Sequence, residues 1–182
     1  MPKPKLIVVT GPPGAGKSSL AKTLAEKLQL ALLSRDEIKR SLLLDLGCSH
    51  ADAGDNINRQ ASERFFATVE QALARGNSLV VEAAFQHRLW STWLPAQARI
   101  ADSRLIICQV NAVIALNRVQ QRLLEQPDWT YFHGDDLAST ARLIGRYIAP
   151  SLQVPTLGLD TQDGYKPELE TVIRFIKGKS KT

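Results

Sequence analysis

A chain of 182 residues with 44% apolar and 23% charged side chains has an ordinary globular composition and enough length for a core without disulfide or metal staples. Cys48 and Cys108 are isolated, which excludes a disulfide framework and suits a reducing cytoplasm; no apolar run approaches the roughly 20 residues of a membrane helix, and Met1 to Lys5 lack a signal-peptide h-region. The net charge of +5 suggests nucleic acid, but five of the 23 basic residues are the tail lysines Lys3, Lys5, Lys177, Lys179 and Lys181, and the other 18 match 18 acidic ones, so nucleic acid is a possible but not a favoured partner.

In chain order, KLIVVT (5–10) is a continuous apolar, β-branched run and predicts a buried strand. A Gly/Pro loop follows, then a helix to about Gln29 and a short strand over Ala31 to Leu33. Ser34 with Glu37 three residues on predicts a capping box and a helix to about Leu46. Gly47 to Asp55 is polar and reads as a loop, and a long helix runs from Ile57 to Arg75 with Gly76 as its stop. SLVVEAAF (78–85) is the third strand; Arg88 to Arg99 reads as a helix interrupted by Pro95; RLIICQV (104–110) is the fourth strand. Asn111 to Leu124 is a helix, Glu125 to Gly134 a polar and aromatic loop, and Asp135 to Ala149 a helix with two aspartates at its N-terminus. TLGLD (156–160) is the fifth strand and Lys166 to Lys177 the last helix. Strands alternating with helices imply a parallel sheet covered on both faces, with no domain boundary in 1–182.

GPPGAGKS (11–18) matches G-x-x-x-x-G-K-[ST] and sits between a buried strand and a helix. Glycines let backbone N–H groups curl around an anion, and the helix N-terminus adds the positive end of its dipole. The nucleotide-binding segment is thus Gly11, Pro12, Pro13, Gly14, Ala15, Gly16, Lys17, Ser18 and Ser19, with Lys17 on the β- and γ-phosphates and Ser18 a ligand for Mg²⁺. The chain has no N/T-K-x-D guanine motif, so ATP is the expected nucleotide, and its length leaves no room for the helical second domain of a ring-forming ATPase.

Asp36 stands at the tip of the second strand, on the rim where parallel sheets bind ligands. There it can take the proton of an attacking hydroxyl, or simply stabilise the first turn of a helix; position alone does not choose. Glu82 ends the third strand on the same rim, and a carboxylate after SLVV is costly if buried without a partner. Arg118 and Arg122 lie i, i+4 on one polar helix face, as do Arg142 and Arg146 on the next.

GPPGAGKSSLA followed by LLSRDEIKRSL resembles the small P-loop kinases related to polynucleotide kinase, zeta-toxin-type kinases and chloramphenicol phosphotransferase. The resemblance implies a three-layer P-loop fold with a five-stranded parallel sheet in order 2-3-1-4-5 and a small helical lid over about 124–142. It implies Asp36 as the catalytic base, with Arg35, Lys39 and Glu82 beside the acceptor; Lys39 stands where the polynucleotide kinase branch has arginine, so two-pronged phosphate recognition is in doubt. It places Glu82 near Mg²⁺ and gives a lid arginine the charge of the transition state, Arg118 first and then Arg122. In the aromatic loop, Trp129, Tyr131, Phe132 and His133 either close over a ligand or anchor the loop; Trp90 and Trp93 read as packing residues. The expected activity is transfer of the γ-phosphoryl group of MgATP to a hydroxyl of a small molecule or a nucleic-acid 5′ end, with a non-catalytic ATP-binding regulator and a simple ATPase as alternatives.

Overall fold

The structure is a computed structural model that describes residues 3–54, 56–126, 128–134 and 136–178. Five parallel strands, β1 (Lys5–Thr10), β2 (Ala31–Ser34), β3 (Leu79–Glu82), β4 (Asp102–Gln109) and β5 (Thr156–Asp160), form one sheet in the order β2-β3-β1-β4-β5. This is the expected three-layer fold and strand order. The central strand β1 alternates its side chains between two cores. Leu6 and Val8 face Phe65, Val69, Trp90 and Leu94, from α4 (Asn56–Ala74) and α5 (His87–Ile100). Ile7 and Val9 face Leu20, Leu24, Val172 and Ile176, from α1 (Lys17–Leu28) and α9 (Leu169–Lys177). Both faces being covered explains why the strand reads as an unbroken apolar run.

The parallel register carries the carboxyl ends of the strands to one rim. Ser34 pairs alongside Glu82, Glu82 alongside Val9, and Gln109 alongside Asp160. The helices that follow β2 and β4, α2 (Arg35–Leu46) and α6 (Ala112–Glu125), therefore start beside the phosphate loop.

Five local expectations need correction. Ser34 occupies the N-cap of α2, but its side chain makes no cap bond; its hydroxyl donates instead to Glu82 Oε2 at 2.8 Å. The segment after Gly47 holds a short helix, α3 (His50–Ala53), closed by a Ser49–Asp52 capping box. The aromatic loop holds another, α7 (Trp129–His133), whose Phe132 is buried against Leu43 and Ile57. Helix α5 runs unbroken through Pro95, which lies on its exposed side while Trp90 and Leu94 fix the helix to the core. Helix α8 (Leu137–Gly145) starts at Asp136, which caps it through the Ser139 N–H; Asp135 lies outside the described residues. No described helix is long and apolar enough to cross a membrane.

Candidate active site

The phosphate loop is shaped by close approach. Gly14 has φ +74°, and a Cβ there would stand 2.4 Å from the carbonyl oxygen of Ala115 on α6; one at Gly11 would stand 2.6 Å from that of Cys108 on β4. The loop is thus wedged between sheet and helix, and the Ala15 N–H closes a turn on Pro12 O at 3.2 Å. The Thr161 hydroxyl donates to Ala15 O at 3.0 Å, which ties the loop to the end of β5. Lys17 is buried, and its ammonium donates to Pro12 O at 3.0 Å. Gly14→Ala is expected to lower unfolding stability by more than about 1 kcal/mol and to weaken ATP binding. Gly47→Ala (φ +64°, open space around it) bears only the conformational strain. Denaturant unfolding of both variants checks the ranking; equal losses would show that the Ala115 contact does not matter.

In front of the loop lies a cleft of about 380 Å³ lined by Lys17, Ser18, Arg35, Asp36, Lys39 and Glu82, together with Arg122, Trp129 and His133 from the other side. Sequence reasoning named six of these nine side chains on the sheet side and Arg122 on the other. Glu82 is buried, and burial pushes its carboxyl above the ordinary range, against the pull of Lys17. Asp36 goes the other way: burial opposes its charge, but Arg35, then His133 and Lys17, outweigh it and hold the carboxyl below the usual range. Two carboxylates pushed apart at one site is the pattern by which acid and base roles separate.

Arg35 is placed by α4. Its guanidinium bonds Asp36 at 3.2 Å and both the carbonyl and side-chain oxygens of Asn58, at 3.0 and 2.9 Å. Lys39 is buried and donates to His133 O at 3.0 Å, so it joins α2 to α7 across the cleft. The Arg122 guanidinium lies 4.7 Å over the Trp129 ring, which stacks on His133 at 3.8 Å between centroids. Burial lowers the His133 imidazole to about 4, so it is neutral at pH 7. Phe132 anchors α7, one of the two roles the sequence left open, while Trp129 and His133 line the cleft. Arg118 behaves differently from Arg122. It donates to the carbonyls of Gly14 (3.3 Å), Thr161 (2.6 Å) and Gln162 (3.1 Å), bracing the loop from behind, and does not line the cleft.

The residues fit MgATP. The glycine cradle would lose its shape to a Cβ, Lys17 sits inside it, and the exposed Ser18 and buried Glu82 share the cleft. Among the described residues no three His, Cys, Asp or Glu side chains gather at metal distance. Mg²⁺ keeps water and phosphate oxygens and takes few protein ligands.

A phosphate loop on the rim of a 2-3-1-4-5 sheet, facing carboxylates and a helix-borne arginine, defines the P-loop kinase class, whose nucleotide is ATP with Mg²⁺. The chain belongs to the AAA_33 family, described as an AAA domain, whose model matches residues 6–140. It is 40% identical over 60 residues to a cytidylate kinase of Sulfurisphaera tokodaii, covering 33% of this chain and 31% of that protein. It is 34% identical over 80 residues to a cytidylate kinase of Ignicoccus hospitalis, covering 43% and 46%. The matches therefore span less than half the length of either relative. Among solved structures, an inferred kinase from Chloroflexus aurantiacus superposes with TM-score 0.83 at 26% identity, over 98% of this chain and 100% of that one. The APS kinase of Mycobacterium tuberculosis, solved with AMPPNP and APS, superposes with TM-score 0.63 at 20% identity over 98% and 100%, a likeness of fold.

Proposed function

We propose that this protein is an ATP-dependent kinase that transfers the γ-phosphoryl group to an alcohol, as a single domain whose segment 124–142 serves as lid. The observation that carries the reading is Asp36, held ionised beside Lys17 in one cleft. An alcohol must lose its proton as it attacks and so needs a base, whereas a phosphate acceptor already carries its nucleophilic oxygen as an anion and needs none. The acceptor hydroxyl donates to Asp36, which takes its proton as the oxygen attacks phosphorus. Lys17 neutralises the β- and γ-phosphates, and Arg122 draws charge from the equatorial oxygens. Ser18 and Glu82 would hold Mg²⁺, which would offset the negative charge of the phosphates. Arg35 and Lys39 position the acceptor side of the cleft. This arrangement supports placing the chain with the polynucleotide kinase, zeta-toxin and chloramphenicol phosphotransferase group.

A second reading, transfer to the phosphate of a nucleotide, is favoured by the two cytidylate kinase matches. Phosphorus NMR of reaction mixtures tests between them: the alcohol reading predicts a new phosphate monoester and no nucleoside diphosphate formed from CMP.

The two arginines make a separable prediction. Arg122→Ala is expected to lower kcat by about 10²-fold or more, with ATP affinity little changed, because its guanidinium faces the cleft. Arg118→Ala loosens three carbonyls of the nucleotide loops and is expected to act mainly on ATP affinity. Steady-state kinetics with ATP binding by calorimetry checks both; the reverse pattern would make Arg118 the lid arginine.

A further inference from the structure

The cleft does not end at Asp36. Arg35, Asp36, Asn58 and Ala84 also line a second hollow of about 510 Å³ that leads outward between α4 and α5. That volume suits a small-molecule ligand. Its apolar side is Phe66, Phe85 and Leu89, and Phe66 and Leu89 border a further hollow reaching Trp93. The Phe66 ring lies 5.2 Å from Phe85 and 4.7 Å from Trp93, so the aromatic wall is continuous. Leu89 is 38% exposed, Phe66 half-buried and Phe85 only 7% exposed, so Leu89 and Phe66 are the part of the wall open to an occupant.

The charges along the hollow are matched in pairs. Arg35 meets Asp36 at 3.2 Å, and Arg59 meets Glu63 at 2.9 Å. Arg88, also exposed, stands only at the outer mouth. A phosphate or carboxylate on the acceptor would meet Asp36 and Glu63 as readily as a cation, and would give up water for nothing. A flat ring meets the opposite conditions, since aromatic faces and edges pair well with Phe and Trp.

Resting on the alcohol-kinase reading, we infer that the acceptor is a neutral, ring-bearing alcohol, its ring against the Phe66–Phe85 wall and its hydroxyl at Asp36. The transfer balances without any further reactant: the acceptor O–H proton passes to Asp36, the acceptor oxygen bonds the γ-phosphorus, and the bond to the β-γ bridging oxygen breaks to leave ADP.

The test separates binding from transfer. Protein loaded with AMPPNP is titrated, with saturation-transfer NMR as readout, with cytidine, 2-phenylethanol, gluconate and CMP; each is then offered with labelled ATP. The ring-bearing neutral alcohols are expected to bind at least tenfold more tightly than gluconate, and cytidine more tightly than CMP. Leu89→Glu should abolish that binding and Leu89→Ala weaken it, with circular dichroism unfolding confirming that both fold. Tighter binding of CMP or gluconate, ring binding that survives Leu89→Glu, or no binding of the ring alcohols overturns the inference. Ring alcohols that bind, depend on Leu89 and receive no label would uphold the groove's preference and instead sink the kinase reading.

Discussion

Asp36→Asn is expected to lower kcat for phosphoryl transfer by about 10²- to 10⁴-fold, the usual weight of a positioned base, while ATP binding is retained. Asparagine keeps the shape of the side chain and its bond from Arg35 (3.2 Å in the present structure), but it cannot accept the acceptor's proton. The pH profile gives an independent check. Burial works against the Asp36 charge, and Arg35, His133 and Lys17 overcome it, so the folded carboxyl titrates below its ordinary value. A base must be ionised to act, so activity is lost only as pH falls through that lowered value. The acid limb of kcat/KM attributable to Asp36 therefore lies below about 3.9, and an acid limb above it belongs to Glu82, whose buried carboxyl titrates above its ordinary value. Equal loss of ATP affinity and turnover in Asp36→Asn would mean structural damage and would remove Asp36 from the mechanism.

Lys17→Ala is expected to be as severe and different in kind. Its ammonium lies within the loop, 3.0 Å from Pro12 O, and lines the cleft. Removing it should cost about 10²- to 10³-fold or more in kcat and also weaken ATP binding, because the charge meets phosphate in both the ground and transition states. Lys17→Arg should not restore activity: the loop encloses a compact point charge, and a planar guanidinium does not fit the same space. Calorimetric titration with ATP, alongside turnover, separates this variant from Asp36→Asn. Full ATP affinity in Lys17→Ala would show that the loop binds phosphate through its backbone alone.

The phosphate loop and the strand order were legible for different reasons. The loop is contiguous, and each residue type answers a local need of the anion. The strands are buried on both faces, so β1, β3 and β4 announce themselves as apolar runs. Glu82 could be placed on the rim because it ends β3, and Asp36 because it lies in the first turn of α2, two residues after β2 ends. What was missed is held by contacts distant in sequence. Ser34 satisfies every local rule for an N-cap, yet bonds Glu82, 48 residues away. Helices α3 and α7 are too short to nucleate alone; α7 exists because Phe132 fills a pocket made by Leu43 and Ile57. His133 stands across the cleft from Asp36, 97 residues on, through packing that no spacing could reveal. Asn58 holds Arg35 from α4 for the same reason.

The most direct test incubates the protein, with Lys17→Ala as control, in MgATP labelled at the γ-phosphate and a pool of nucleosides, sugars, aminoglycosides, 5′-hydroxyl oligonucleotides and CMP. Label appearing as a phosphate monoester on a hydroxyl acceptor, and lost in the control, is the predicted result. Label recovered only as inorganic phosphate, or only on the phosphate group of CMP, would contradict an alcohol kinase.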